Sequence, residues 1–282
     1  MASVFRIIYL LHNQKELMPE LAELKLTAQY INEASVGLKF DSIKKNPVHK
    51  GAEVQTPFDK FTISAKSRGK ELVVYIKDYN SDSVVPMRMT MGMAGHFRQT
   101  NTGQENKHAH LKFYSTDGTT LSFVDVRRFG KWKIGYEWSD NRGPDPTTEY
   151  EEFVRNVEEN LHKKAFDKPI MEVLMNQQYF NGIGNYLRAE ILFRIGDINP
   201  FMPARDAIKQ NPEILKYCKA LPLYAFALGG GKIKDWKNPF NENADRSNFF
   251  LCYSQNVMSN VIDKGGRRFW YDPKWDENNP YK

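Results

Sequence analysis

The sequence predicts an α+β protein in two parts: a strand-rich sandwich or barrel carrying one helix, then a helical region that ends in a β-hairpin. Three observations point there. Short β-branched and aromatic runs of strand length occupy the first half. Asn141-Arg142-Gly143-Pro144-Asp145-Pro146 then breaks both helix and strand, and reads as a linker. Beyond it the apolar spacing turns helical, until aromatic and β-branched residues return from Phe249 onward. At roughly 100–200 residues per domain, the 282-residue chain has room for two cores.

The elements follow in order. Val4 to Leu11 is apolar but interrupted by Arg6. It is far short of the ~20 residues of a membrane span, and lacks the basic flank and cleavage site of a signal peptide. The chain is therefore read as intracellular, with no membrane partner. Leu21, Leu24, Ala28 and Ile31 share one face at helical spacing. Leu72 to Ile76 is a strand, and His110 to Tyr114 and Leu121 to Val126 flank Asp117-Gly118, a dipeptide that accepts the positive φ of a tight hairpin. After the linker, Thr148-Glu149-Tyr150-Glu151 has the pattern of a capping box ahead of the stripe Phe153, Val157 and Leu161. Asp167 is placed to cap a second helix with Pro169 in its first turn. A third helix runs from Asn185 through Leu187, Ile191, Leu192 and Ile195, and Lys264-Gly265-Gly266 marks a second hairpin turn.

Composition narrows the function. With 41% hydrophobic and 26% charged residues, the chain is neither disordered nor fibrous. Its 40 basic against 34 acidic residues give +6, an excess that favours a polyanionic partner. Cys218 and Cys252 are too few for a disulfide framework or a four-cysteine zinc site, and are read as reduced, semi-buried thiols. Gly229-Gly230-Gly231-Lys232 is no P-loop, because Ile233 stands where Ser or Thr is required. Gly182-Ile183-Gly184 runs into Leu187, so the dinucleotide fingerprint fails as well. His108-Ala109-His110 puts two imidazoles on one strand face without a third ligand in the sequence. Asn181-Gly182-Ile183-Gly184-Asn185 lets backbone approach a ligand at the start of a helix, where N–H groups are unpaired. An anion site and a plain interhelical turn fit that spacing equally well.

Several segments together resemble the formamidopyrimidine-DNA glycosylase/endonuclease VIII family. They are Met18-Pro19-Glu20-Leu21-Ala22-Glu23-Leu24, Gly92-Met93-Ala94-Gly95, Asp125-Val126-Arg127-Arg128-Phe129-Gly130 and Asn181-Gly182-Ile183-Gly184-Asn185, in the family's order. Ser67-Arg68-Gly69-Lys70-Glu71-Leu72, Asn185 to Leu192 and Gly266-Arg267-Arg268-Phe269-Trp270 resemble its zinc-free eukaryotic and viral branch most closely.

The resemblance implies an N-terminal β-sandwich with one helix, a helix–two-turn–helix domain and a zinc-free β-hairpin finger, with DNA in the cleft between. Residues 1–17 are then an extension, absent from the active protein either because translation begins at Met18, the favoured reading, or because the leader is cleaved; 18–145 is the catalytic sandwich, 146–245 the helix–two-turn–helix domain and 246–282 the zincless finger. The implied catalytic residues are Pro19, whose amine attacks the sugar C1′, Glu20 as acid at the ring oxygen, and Lys70 as a phosphate contact and proton donor. Asn181, Arg267 and His108 match DNA-binding residues; Met93, Arg127 and Phe129 match those that fill the gap left by a flipped nucleotide. Gly231 or Lys232 matches the position of a lesion-reading side chain.

The implied activity is that of a bifunctional DNA glycosylase and abasic-site lyase. It acts as a monomer in the nucleus or at a site of viral replication, on double- and single-stranded DNA containing oxidised bases or abasic sites. No cofactor and no metal are implied. An acylated proline nitrogen is planar and delocalised, so a chain with Pro19 internal would instead be a non-catalytic protein binding damaged or single-stranded DNA.

Overall fold

The computed structural model describes residues 19–229 and 247–281. Helix α1 (Leu21–Ala34) is followed by β1 (Phe40–Lys45), β2 (Phe61–Arg68), β3 (Glu71–Asp78), β4 (Val84–Thr90), β5 (His96–Asn101), β6 (Ala109–Ser115), β7 (Thr119–Val124) and β8 (Lys131–Ile134). The eight strands form one antiparallel sheet in the order β5-β7-β6-β1-β2-β3-β4-β8. β1 meets β2 only at Phe40↔Phe61, so the sheet folds over on itself there. The two halves face each other across a shared core, where Phe123 of β7 meets Trp132 of β8 edge-on at 6.2 Å. This is the expected sandwich, built by alternation: Phe61, Ile63 and Ala65 of β2 point inward while their neighbours do not. Asp117-Gly118 turns the β6–β7 hairpin with Gly118 at φ 87° and the Asp117 carboxylate accepting the Thr119 N–H at 2.9 Å.

The second part comprises α2 (Tyr150–Asn160), a 3₁₀ turn (Lys164–Asp167), α3 (Ile170–Val173), α4 (Asn185–Ile195), α5 (Ala204–Gln210), α6 (Glu213–Ala227) and the hairpin β9 (Ser259–Ile262) with β10 (Arg268–Tyr271). Val261, Phe269, Trp270 and Tyr271 of the hairpin belong to the same core as the helices. α4 has the bounds its apolar spacing gives, but two caps differ from expectation. α2 begins after Glu149, not Thr148, because Glu149 and Asp145 satisfy each other: the Asp145 N–H donates to Glu149 Oε2 at 2.8 Å and the Glu149 N–H to the Asp145 carbonyl at 2.8 Å. Asp167 closes the 3₁₀ turn and pairs with Arg205 instead of capping a helix; Pro169 precedes α3 and its carbonyl accepts the N–H groups of Glu172 and Val173. Both cysteines are fully rather than partly buried, and burial pushes both thiols far above the usual range.

α1 joins the two parts. Leu21 and Ala22, on its first turn, sit in the helical core; Leu24, Ala28 and Ile31 sit in the sandwich core. Its N-terminus thus lies at the junction, which is where the residues singled out in the sequence converge.

Candidate active site and nucleic-acid interface

Pro19 and Glu20 lead directly into α1, whose first amide, Leu21 N–H, donates to the Gly182 carbonyl at 3.1 Å. Glu20 is 1% exposed. Its carboxyl oxygens accept the Tyr186 N–H at 2.9 Å and the Leu187 N–H at 3.2 Å, the unpaired donors at the start of α4. The Glu20 N–H in turn donates to Glu23 Oε2 at 2.9 Å, and the Tyr186 hydroxyl also reaches the Glu23 carboxylate. Burial pushes the Glu20 carboxyl up to about 7; Glu23 acts in the same direction, while Lys70 and the two amides oppose it.

Lys70 lies with Gly69 in the tight turn between β2 and β3. Burial pulls its ammonium below the usual lysine range, with Glu20 opposing and Arg142 and Arg267 reinforcing. Glu20 and Lys70 meet over Gly184, where a Cβ would collide with both the Glu20 carboxyl and Lys70 Nζ. The glycine is thus required by close approach, which the spacing of the motif alone leaves undecided. Asn181 is buried: its Nδ2 donates to the Gly143 carbonyl at 2.8 Å, and its Oδ1 lies 3.4 Å from both the Lys70 N–H and Arg142 Nη1. It ties the linker, the β2–β3 turn and the α4 loop together.

The segments holding Met93, Arg127 and Phe129 touch. Gly92, at φ 61°, packs so closely on Phe129 and Gly130 that any Cβ would strike them. The buried Asp125 carboxylate accepts the Arg127 N–H at 3.0 Å and the Gly130 N–H at 2.7 Å, which fixes the 125–130 loop. Phe129 is left 52% exposed, with the Arg127 guanidinium 5.1 Å from its ring centroid. An exposed aromatic held by its own loop is available to a ligand. His108 is half-buried just before β6, its ring 6.4 Å from that of His110, which is buried and bonded to the Asp125 carbonyl at 2.9 Å.

Arg267 is exposed in the turn of the β9–β10 hairpin, near enough to Lys70 to affect it. The turn is organised by Asp263, which accepts the Gly265 and Arg267 N–H groups at 2.9 Å each. Asp263 also pairs at 2.8 Å with the fully buried Arg188 of α4, whose guanidinium donates to the Met171 carbonyl and to Asn185 Oδ1. Asn185 Nδ2 then bonds the Arg268 carbonyl at 2.9 Å. Arg188 and Asp263 carry no distinguishing periodicity; only the match at Asn185 to Leu192 hinted at the former. Gly231 and Lys232, like Met1 to Met18, lie outside the described residues. Among the described residues no group of three His, Cys, Asp or Glu side chains is arranged to hold a metal ion, and no helix is long and apolar enough to cross a membrane.

Comparison with known proteins gives this junction its context. The profile of the formamidopyrimidine-DNA glycosylase N-terminal domain matches residues 18–132. Human (Homo sapiens) endonuclease 8-like 1 is 36% identical over 283 residues, covering 90% of this chain and 72% of its own. The chain belongs to the formamidopyrimidine-DNA glycosylase/endonuclease VIII family. Within that family, the formamidopyrimidine-DNA glycosylase of Streptococcus pneumoniae (strain ATCC BAA-255 / R6) is 27% identical over 280 residues, covering 91% of this chain and 98% of its own. The fold is shared with Lactococcus lactis Fpg solved in complex with an oxidised-pyrimidine-containing DNA: TM-score 0.73, 23% identity, 91% of this chain and 99% of that one. The same family fold recurs in a complex of Lactococcus lactis Fpg with an abasic-site-containing DNA, which covers 91% of this chain and 98% of its own at TM-score 0.73.

Proposed function

We propose that this protein is a base-excision DNA glycosylase with abasic-site lyase activity, acting on oxidised pyrimidines, formamidopyrimidines or hydantoins in DNA. The observation that carries the proposal is Glu20: a buried carboxyl beside Lys70, next in sequence to Pro19, and raised to about 7. A carboxyl with that value holds a proton to deliver at neutral pH. In the proposed reaction the free Pro19 amine forms a bond to C1′ of the damaged nucleotide. Glu20 protonates the ring oxygen as the sugar opens, and the base leaves with the glycosidic electron pair. The resulting iminium ion is an electron sink, so loss of the acidic 2′ proton expels the 3′ phosphate, and a second elimination expels the 5′ phosphate. Lys70, lowered by burial, is suited to exchange protons in these steps while touching phosphate.

Met93, Arg127 and Phe129 would fill the gap in the duplex, with Arg267 and His108 on the backbone and the buried Asn181 serving DNA binding by holding the Lys70 turn and Arg142 in place, so the nucleotide is presented without sequence preference. In this reading the finger needs no zinc, the protein belongs to the zinc-free branch, and it acts as a monomer. Borohydride trapping on abasic-site DNA tests the proposal. Protein beginning at Pro19 is expected to form a covalent adduct, and protein of verified mass retaining Met1 to Met18 is not. Equal trapping by both forms excludes the Pro19 amine as nucleophile, and binding without trapping by either leaves a non-catalytic damage-binding protein.

A further inference from the structure

Beside the junction, on the outer face of β4 and β8, lies a cleft of about 590 Å³. Arg88 pairs with Lys133 and Thr90 with Lys131 across the two strands. Cross-strand partners share a face, so these side chains line the cleft while the intervening Met89 and Trp132 enter the core. Arg142 completes it from the linker, giving four cations around one carboxylate, that of Glu71.

That carboxylate is already engaged. It accepts the Ser139 N–H at 3.0 Å and the Ser139 hydroxyl, while the Arg142 and Arg88 Nε atoms stand off at 3.4 and 3.8 Å. Apart from Glu71, the Arg142 guanidinium has, among the described residues, long contacts to Gln177 and Asn181, 3.4 Å each. Burial lowers the Arg142 guanidinium, Glu71 opposes this and the neighbouring Arg88 cation adds to it. Two of the cations share an aromatic platform: the exposed Tyr136 ring lies under Lys133 Nζ at 3.5 Å and 5.8 Å from the Arg88 guanidinium.

From this excess of fixed positive charge, continuous through Arg142 with Asn181 and the catalytic junction, we infer that the cleft is a phosphate-binding subsite. Its occupant is the phosphodiester backbone of the DNA strand that enters the junction. Anionic oxygens there would relieve the crowding of Arg88 and Arg142 and meet Lys131 and Lys133 at the rim. The inference rests on the DNA-directed function proposed above.

The test is Lys131→Ala/Lys133→Ala, two exposed positions whose loss leaves the core untouched, with an unchanged thermal midpoint as the fold control. Binding to a lesion-bearing duplex is expected to weaken roughly tenfold near 0.15 M salt, and the slope of log K against log salt to fall by about one to two. Replacing single phosphates by neutral methylphosphonates locates the contact. One or two positions that weaken the wild-type complex are expected to cost the double variant nothing, and Lys131→Arg/Lys133→Arg to restore the dependence. If the variant keeps the wild-type salt slope, or every methylphosphonate costs both proteins alike, the subsite is refuted. If the wild-type protein neither binds nor traps on the same duplex, the failure belongs to the underlying DNA reading instead.

Discussion

Glu20 is held by groups more than 160 positions away, and that distance governs what its replacement does. Glu20 stands out in the sequence through its place in Met18-Pro19-Glu20, and Glu23, three residues on, completes a capping box with it, but no local pattern links it to Tyr186 or Leu187. Glu20→Gln keeps the shape and an acceptor yet has no proton to give the ring oxygen. Excision of a damaged base is expected to slow greatly with near-normal affinity for lesion DNA, and cleavage of a preformed abasic site to suffer less. Equal loss of binding and excision would show the residue to be structural. Stability supplies a second readout. Because the folded carboxyl sits near 7 against an ordinary 4.5, its contribution is full below pH 4.5 and lost as pH rises through 7. The stability advantage of wild type over Glu20→Gln should therefore shrink between pH 5 and 8, by at most about 3 kcal/mol, in urea titrations at the two pH values. Arg267→Ala behaves oppositely. Its exposed side chain is expected to lower affinity for all duplexes alike and reduce the salt slope by about one, with no change in urea midpoint.

The β9–β10 hairpin shows the limits of legibility at the scale of an element. Lys264-Gly265-Gly266 located the turn, but the contacts that hold the hairpin against the helices were not readable. The structure answers with packing and one ion pair: Val261, Phe269, Trp270 and Tyr271 enter the helical core, and Arg188 reaches from α4 to Asp263. Burial opposes both charges, so each depends on the other. Arg188→Ala leaves the Asp263 carboxylate nearly without exposure and without its cation, and should cost about 3–5 kcal/mol in denaturant unfolding. It should also weaken DNA binding, because the turn presenting Arg267 loses its anchor. A strong chelator should alter neither the unfolding midpoint nor DNA affinity; a drop in either would mean that an ion shares the work assigned to Arg188 and Asp263. The misplaced caps have a related cause. Thr148 and Asp167 fit helix starts locally, but Asp145, a few residues upstream, engages Glu149 instead, and Arg205, from far along the chain, takes Asp167.

At the scale of the molecule the sandwich, the linker and the helical region were legible from changes in periodicity, whereas the role of α1 was not. Its stripe of Leu21, Leu24, Ala28 and Ile31 reads as one face packed on one core. The structure divides that stripe between two, Leu21 in the helical core and the other three in the sandwich. Glu20 immediately precedes this crossing and caps α4 from it, so the position of the proposed acid depends on both cores being intact. The halves should then unfold together. Ile31→Ala, a truncation wholly inside the sandwich, is expected to cost about 2–5 kcal/mol. If α1 couples the parts, native-state hydrogen exchange will show the slowest amides of α4 losing as much protection as those of β3, although α4 does not touch Ile31's core. Loss confined to β3, with α4 protected as in wild type, would mean that the two cores open independently and that α1 merely runs between them.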